Sequence, residues 1–119
     1  MDGLKDRQQD RLLARITEIV NMLIVSGDIK NPRLSPFASA GGGVLSKDKA
    51  YCTLYVNCLD EKSLRKSVEA LNSAAPFIQS RLAANLKTRN TPKLTFKANE
   101  EFIEAQRIND LLETLKKDV

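Results

Sequence analysis

A helical pattern in the second half of this 119-residue chain stops at Ser73-Ala74-Ala75-Pro76 and restarts at once. Proline inside a helix removes a hydrogen bond and clashes with the turn before it, so one straight helix is excluded. The same residue suits a first helical turn, where its missing N–H would go unpaired anyway. The spacing therefore predicts two short helices, residues 61–73 and 76–88, meeting at a kink made by Ala74, Ala75 and Pro76. Asp60 offers an N-cap to the earlier one, and Leu64, Val68 and Leu71 mark its core side. Phe77, Ile78, Leu82 and Leu86 are expected to be buried by the later one. A strand follows at 93–97, with Leu94 and Phe96 on one face.

The first half is read the same way. In residues 5–26, Leu12, Ile16, Ile19, Val20, Leu23 and Ile24 recur at helical spacing, and Gly27 suits a left-handed cap. Asn31-Pro32-Arg33-Leu34 and Ser35-Pro36 make a bend, because proline pushes its predecessor to extended geometry. Residues 37–46 form a thin strand whose apolar residues are Ala38, Ala40 and Leu45. Gly41-Gly42-Gly43 sits inside it, a pattern that marks a bulge or a close approach of other atoms. Residues 50–58 form a strong strand, and the short turn between the two predicts antiparallel pairing. A last helix opens at Asn99-Glu100-Glu101, with Ile108, Leu111, Leu112 and Leu115 as its apolar side. The reading is one α+β domain over residues 1–119, with a three-stranded sheet, helices on one face and a C-terminal helical extension over 98–119.

Histidine is absent. That removes the commonest general base and transition-metal ligand, and it excludes Ser-His-Asp and Cys-His arrangements. Cys52 and Cys58 share strand parity with Leu54 and Val56, so they are expected as buried thiols; two sulfurs do not fill a zinc site. The acidic residues cluster only at helix ends. No enzyme activity, cofactor, metal or small-molecule substrate is expected. No apolar run approaches the roughly 20 residues that cross a membrane, and the polar start lacks a signal-peptide core; a cytoplasmic protein is expected.

The net charge is +4, which favours an anionic partner. From residue 70 to 99 there is no carboxylate, while basic residues recur. Arg81, Asn85 and Arg89 fall four apart on one side of the later helix. Lys87, Lys93 and Lys97 continue the charge toward the last strand, and Lys62, Arg65 and Lys66 share a side of the earlier helix. For any one of them a solvated helix face accounts equally well for the pattern; for the group, nucleic-acid binding is the better account. Arg7, Arg11 and Arg15 lie among acids and read as a mixed-charge surface. Arg33 is expected to bond its own turn. With no tryptophan, and with Tyr51 and Tyr55 expected to pack on the sheet, phosphate and shape contacts should dominate over base stacking. Gly41-Gly42-Gly43-Val44-Leu45-Ser46-Lys47 lacks the spacing of a phosphate loop and precedes no helix.

This order of elements, together with several short motifs, resembles the bacterial ribosome-binding factor A family, built on a type II K-homology (KH) fold. The motifs are Asn31-Pro32-Arg33-Leu34, Ser46-x-Asp48, Leu71-Asn72-Ser73-Ala74-Ala75 and Leu86-x-x-Arg89-x-Thr91-Pro92-x-Leu94-x-Phe96, and the resemblance spans roughly residues 11–112. Three departures stand out. Ala74-Ala75-Pro76 replaces the family's usual Ala-x-Gly, the glycine triplet replaces part of a valine-rich strand, and the Gly-x-x-Gly loop of ordinary KH modules is missing, as it is in the family. The resemblance implies a monomeric, non-catalytic assembly factor that binds the immature small (30S) ribosomal subunit. It implies help with maturation of the 16S ribosomal RNA near the decoding region, most needed in the cold. The alternative from the residues alone is a protein-interaction module docking a partner through the last helix or the first strand.

Overall fold

Tyr51–Asn57 forms the middle strand of the sheet, and its alternation decides what every other element covers. The structure, a computed structural model, describes residues 2–86 and 90–117. In chain order the elements are α1 (Asp2–Ser26), β1 (Ser39–Leu45), β2 (Tyr51–Asn57), α2 (Glu61–Ser73), α3 (Ala75–Leu86), β3 (Lys93–Ala98) and α4 (Glu100–Lys117). The strand order is β1-β2-β3. β1 and β2 are antiparallel, as their short turn predicts, and β3 runs parallel to β2. Cys52, Leu54 and Val56 are buried on one face of β2, beside Leu94 and Phe96 of β3. Against that face pack Ile16, Ile19 and Val20 of α1, Leu64 and Leu71 of α2, and Ile78 and Leu82 of α3. The three helices thus cover one side, and Tyr51, Thr53 and Tyr55 stand on the other.

The glycine triplet is a bulge. Ala40 pairs with Val56 and Gly43 with Leu54, so Gly41 and Gly42 together oppose the single residue Tyr55. Strict alternation would send Ala40 and Leu45 to opposite faces, because they are five apart. The extra residue restores the phase: Ala38 and Ala40 are buried, and Leu45 also packs on the core. Gly42 has φ +140°, where a side chain is strained. A Cβ on Gly43 would run into the Thr53 carbonyl, so the close approach of strands depends on its absence.

Side-chain amides close both edges of the sheet. Asn21 of α1 donates to the Ala40 carbonyl at 3.0 Å and accepts the Ala40 N–H at 2.8 Å. Asn72 of α2 does the same for Phe96 of β3, at 2.9 Å in each direction. Gln79 of α3 accepts the Leu94 N–H at 3.1 Å and donates to the Pro92 carbonyl. Each carboxamide supplies the donor and acceptor that a further strand would supply.

The turns explain two of the motifs. Ser46 Oγ donates to Asp48 Oδ1 at 2.7 Å and accepts the N–H groups of Ala50 and Tyr51, fixing the β1–β2 turn. Asn31 Oδ1 accepts the Arg33 N–H at 3.0 Å, and the buried Ser67 hydroxyl accepts the Ser35 N–H at 3.1 Å. The Arg33 side chain departs from expectation: its guanidinium reaches Glu69 at 2.8 Å, tying the bend to α2. Asp60 caps α2 through the Ser63 N–H at 2.7 Å, as expected.

These caps make stability acid-sensitive. The Asp60 carboxyl is held below its ordinary range by the backbone N–H and side chain of Ser63, and Asp48 by the Ser46 hydroxyl and the Ala50 N–H. Their native values lie below the unfolded ones, so their contribution is full above the ordinary carboxylate range and is lost as pH falls through the lowered native values. The thermal midpoint is expected to decline below about pH 4, and Asp60→Asn should shallow that decline; a scan of melting temperature against pH checks both.

The element bounds differ from expectation by a few residues. α1 begins earlier than residue 5, and α3 begins at Ala75 with Pro76 in its first turn. Residues 87 and 88, expected in the same helix, lie outside the described residues. Phe77 is a correction. Its spacing assigns it to the core, but it is 37% exposed, because Ile78, Leu82 and Leu86 already take the inward side of α3. In α4, Ile103 is buried, and the apolar side formed by Ile108, Leu111, Leu112 and Leu115 faces solvent.

Candidate nucleic-acid interface

The kink sets the directions of the two helices that carry the predicted cations. Ala74, with φ −87° and ψ 3°, ends α2; its N–H donates to the Ala70 carbonyl, and its own carbonyl accepts the Ile78 N–H at 3.0 Å. One residue thus belongs to both hydrogen-bond ladders, and α3 leaves at a new angle with Ala75 and Pro76 at its start.

The predicted cations resolve into three groups. On α3, Phe77, Arg81 and Asn85 form one exposed line. The Arg81 guanidinium lies 5.3 Å from the centre of the Phe77 ring, so an aromatic face holds a cation outward. Asn85 Nδ2 donates to the Arg81 carbonyl at 2.7 Å, which commits its amide to its own helix. On α2, Lys62, Arg65 and Lys66 are exposed together, but Glu61 accepts from Arg65 at 2.8 Å and from Arg107 of α4 at 3.3 Å. Arg65 is therefore held by a carboxylate it shares with Arg107, and the same hydrogen bond holds the Glu61 carboxyl below its ordinary range. The third group is Lys93 and Lys97, which belong to the sheet face turned away from α2 and α3. Lys87 and Arg89 lie outside the described residues. Among the described residues, Lys66, Arg81, Lys93 and Lys97 have no ion-pair partner, and Lys62 lies within electrostatic reach of the Asp60 carboxylate.

Tyr51 and Tyr55 lie on the sheet, as expected, but on the face the helices leave open. Tyr51 is 62% exposed and Tyr55 half-buried, and they pair in register with Lys93 and Lys97. Parity alone carried this signal: Cys52, Leu54 and Val56 inward require the tyrosines outward.

No group of three or more His, Cys, Asp or Glu side chains able to hold a metal occurs among the described residues, and every buried side-chain nitrogen or oxygen there has a hydrogen-bond partner. Cys52 and Cys58 are free and buried, and burial pushes the Cys52 thiol up to about 11, far from thiolate reactivity. No described helix is long and apolar enough to cross a membrane.

The family model of ribosome-binding factor A matches residues 8–112. The chain belongs to the ribosome-binding factor A family. It is 35% identical over 112 residues to ribosome-binding factor A of Borreliella burgdorferi, covering 93% of each chain. The crystal structure of ribosome-binding factor A from Thermus thermophilus superposes with a TM-score of 0.65 at 25% identity, covering 75% of this chain and 92% of that one. A second similar set of coordinates is a homology model of the Thermus thermophilus factor, fitted into a cryo-electron microscopy map of its complex with the 30S subunit. Its TM-score is 0.61 at 25% identity, over 73% of this chain and 90% of that one. In ribosome-binding factor A terms, the motifs quoted above hold the frame: Ser46-x-Asp48 locks a turn, Asn31 shapes a bend and Asn72 closes a sheet edge.

Proposed function

We propose that this chain binds the immature small ribosomal subunit and assists maturation of its 16S ribosomal RNA without catalysing a reaction. It acts as a monomer in the cytoplasm. The observation that carries the reading is the stretch from residue 70 to 99, which holds no carboxylate and presents Arg81 outward on the face of Phe77. Guanidinium and ammonium groups meet phosphate oxygens well, and backbone contact needs no sequence reading. The family relative fitted into a map of its 30S complex supports the same partner. Binding one arrangement of RNA more tightly than others shifts the population toward it, and this matters most in the cold, when misfolded RNA rearranges slowly.

Sedimentation with precursor and mature small subunits across a salt series tests the reading. Arg81→Ala and the pair Lys62→Ala, Lys66→Ala should weaken binding to precursors and reduce the slope of log affinity against log salt by about one per lost phosphate contact. Arg65→Ala, already paired with Glu61, should change the slope least. A slope that none of these substitutions alters removes them from the interface.

One observation favours a second reading. α4 exposes Ile108, Leu111, Leu112 and Leu115 on consecutive turns, a face suited to docking a protein partner. Binding through it would show little salt dependence and be lost on Leu111→Ser with Leu112→Ser.

A further inference from the structure

We infer that the open face of the sheet is a stacking platform for single-stranded RNA, which meets α2 at a cavity lined by Tyr55, Lys97, Arg65 and Glu69. The inference rests on the RNA-binding reading and adds a site to it. Tyr51 and Tyr55 lie on the same face of β2, four residues or roughly 13 Å apart. Lys93 and Lys97 are their register partners on β3, with Thr53 and Thr95 between the two pairs. Each ring thus has an ammonium group on the neighbouring strand, about 4.8 Å away in the backbone. Aromatic rings beside cations are what unpaired nucleotides require, a ring for the base and a charge for the phosphate.

Two further features suit the platform to this occupant. The β1 bulge sets Gly41 and Gly42 opposite Tyr55, so no β1 side chain covers that ring from the neighbouring strand. None of the three strands contains a carboxylate. Glu100 and Glu101 border Tyr55 at the start of α4 and close that end to phosphate. The backbone of a bound strand is therefore steered along β3, over Lys93 and Lys97. Double-stranded RNA does not fit the requirement, because its bases are already stacked.

The chain contains two tyrosines and no tryptophan, so its intrinsic fluorescence reports this face alone. Titrating the full chain with a six-nucleotide single-stranded oligoadenylate should quench tyrosine emission, after correction against free N-acetyltyrosinamide, and a duplex of equal length should not. Tyr51→Phe with Tyr55→Phe should keep the affinity, measured by anisotropy of a labelled oligonucleotide. Tyr51→Ala with Tyr55→Ala, or Lys93→Ala with Lys97→Ala, should reduce it about tenfold or more, at roughly 1–3 kcal/mol per stacked base. The lysine pair keeps the proposal testable if the alanine tyrosine variant folds poorly. Small-subunit binding with unquenched, mutation-insensitive oligonucleotide binding overturns the platform and leaves the subunit reading standing. Failure to bind either subunits or oligonucleotide overturns both.

Discussion

Asn72→Ala combined with Gln79→Ala should lower the thermal midpoint by about 15 °C and strip amide-exchange protection from Phe96 and Leu94. β3 is an edge strand. The N–H groups of Lys93 and Asn99 donate to Ala50 and Val56 on the β2 side, so the residues between them alternate direction, and those of Leu94 and Phe96 point away from the sheet. Two carboxamides satisfy them, along with the carbonyls of Phe96 and Pro92. A hydrogen bond contributes about 1 kcal/mol net, and its loss beside the buried side of an edge strand costs somewhat more. Each substitution should therefore cost about 2 kcal/mol, a large share of the roughly 5–15 kcal/mol of a typical domain. At about 4 °C per kcal/mol for a chain of this size, the pair gives the stated shift. Asn72→Asp keeps the acceptor for Phe96 N–H but sets a carboxylate against the Phe96 carbonyl, so it should do no better than alanine. Unchanged exchange at Phe96 in these variants would refute the role assigned to the amides.

The glycine triplet should show a ranked response to alanine: Gly43 worst, Gly42 next, Gly41 mildest. At Gly43 the new methyl meets the Thr53 carbonyl, lies 2.8 Å from Leu54 Cδ2 and 3.3 Å from Leu13 Cδ1. The Thr53 carbonyl is backbone in the central strand and cannot swing aside, so β1 must retreat, at a cost of about 2–3 kcal/mol. At Gly42 nothing lies within 4 Å, and the penalty is the backbone angle alone, about 1–2 kcal/mol. At Gly41 the obstruction is the Asn57 side-chain amide, which can rotate, although it would give up its 2.8 Å bond from Asn99. Chemical denaturation of the three variants gives the ranking, and a larger loss at Gly41 than at Gly43 would contradict the register described for the bulge.

The fold was legible in the sequence because its periods are clean. Ile16, Val20, Leu64, Leu71, Ile78 and Leu82 recur at helical spacing, and Cys52, Leu54, Val56, Leu94 and Phe96 alternate, so order and layer followed from local pattern. Pro76 marked the kink for a reason that belongs to its own ring. What escaped depends on neighbours distant in the chain. That Asn21, Asn72 and Gln79 bond strand backbone follows only once β1 and β3 are known to be edges, since a polar residue on a helix reads as solvated. Phe77 satisfied the same broad pattern as Ile78, and only the angle of α3 separates the two. The stripe on α4 was visible as apolar, but periodicity cannot say whether the domain covers it. The cations were countable, yet their division between two helix faces and the sheet face follows from strand parity on the outward side, where no burial pattern marks it.

Side chains of its own already occupy the margins of this sheet at Ala40, Leu94 and Phe96. A neighbouring molecule cannot lengthen it there by laying a strand alongside. High local concentrations of this chain therefore carry little risk of strand-by-strand polymerisation through those margins, and any partner has to approach broadside or along the outward helices.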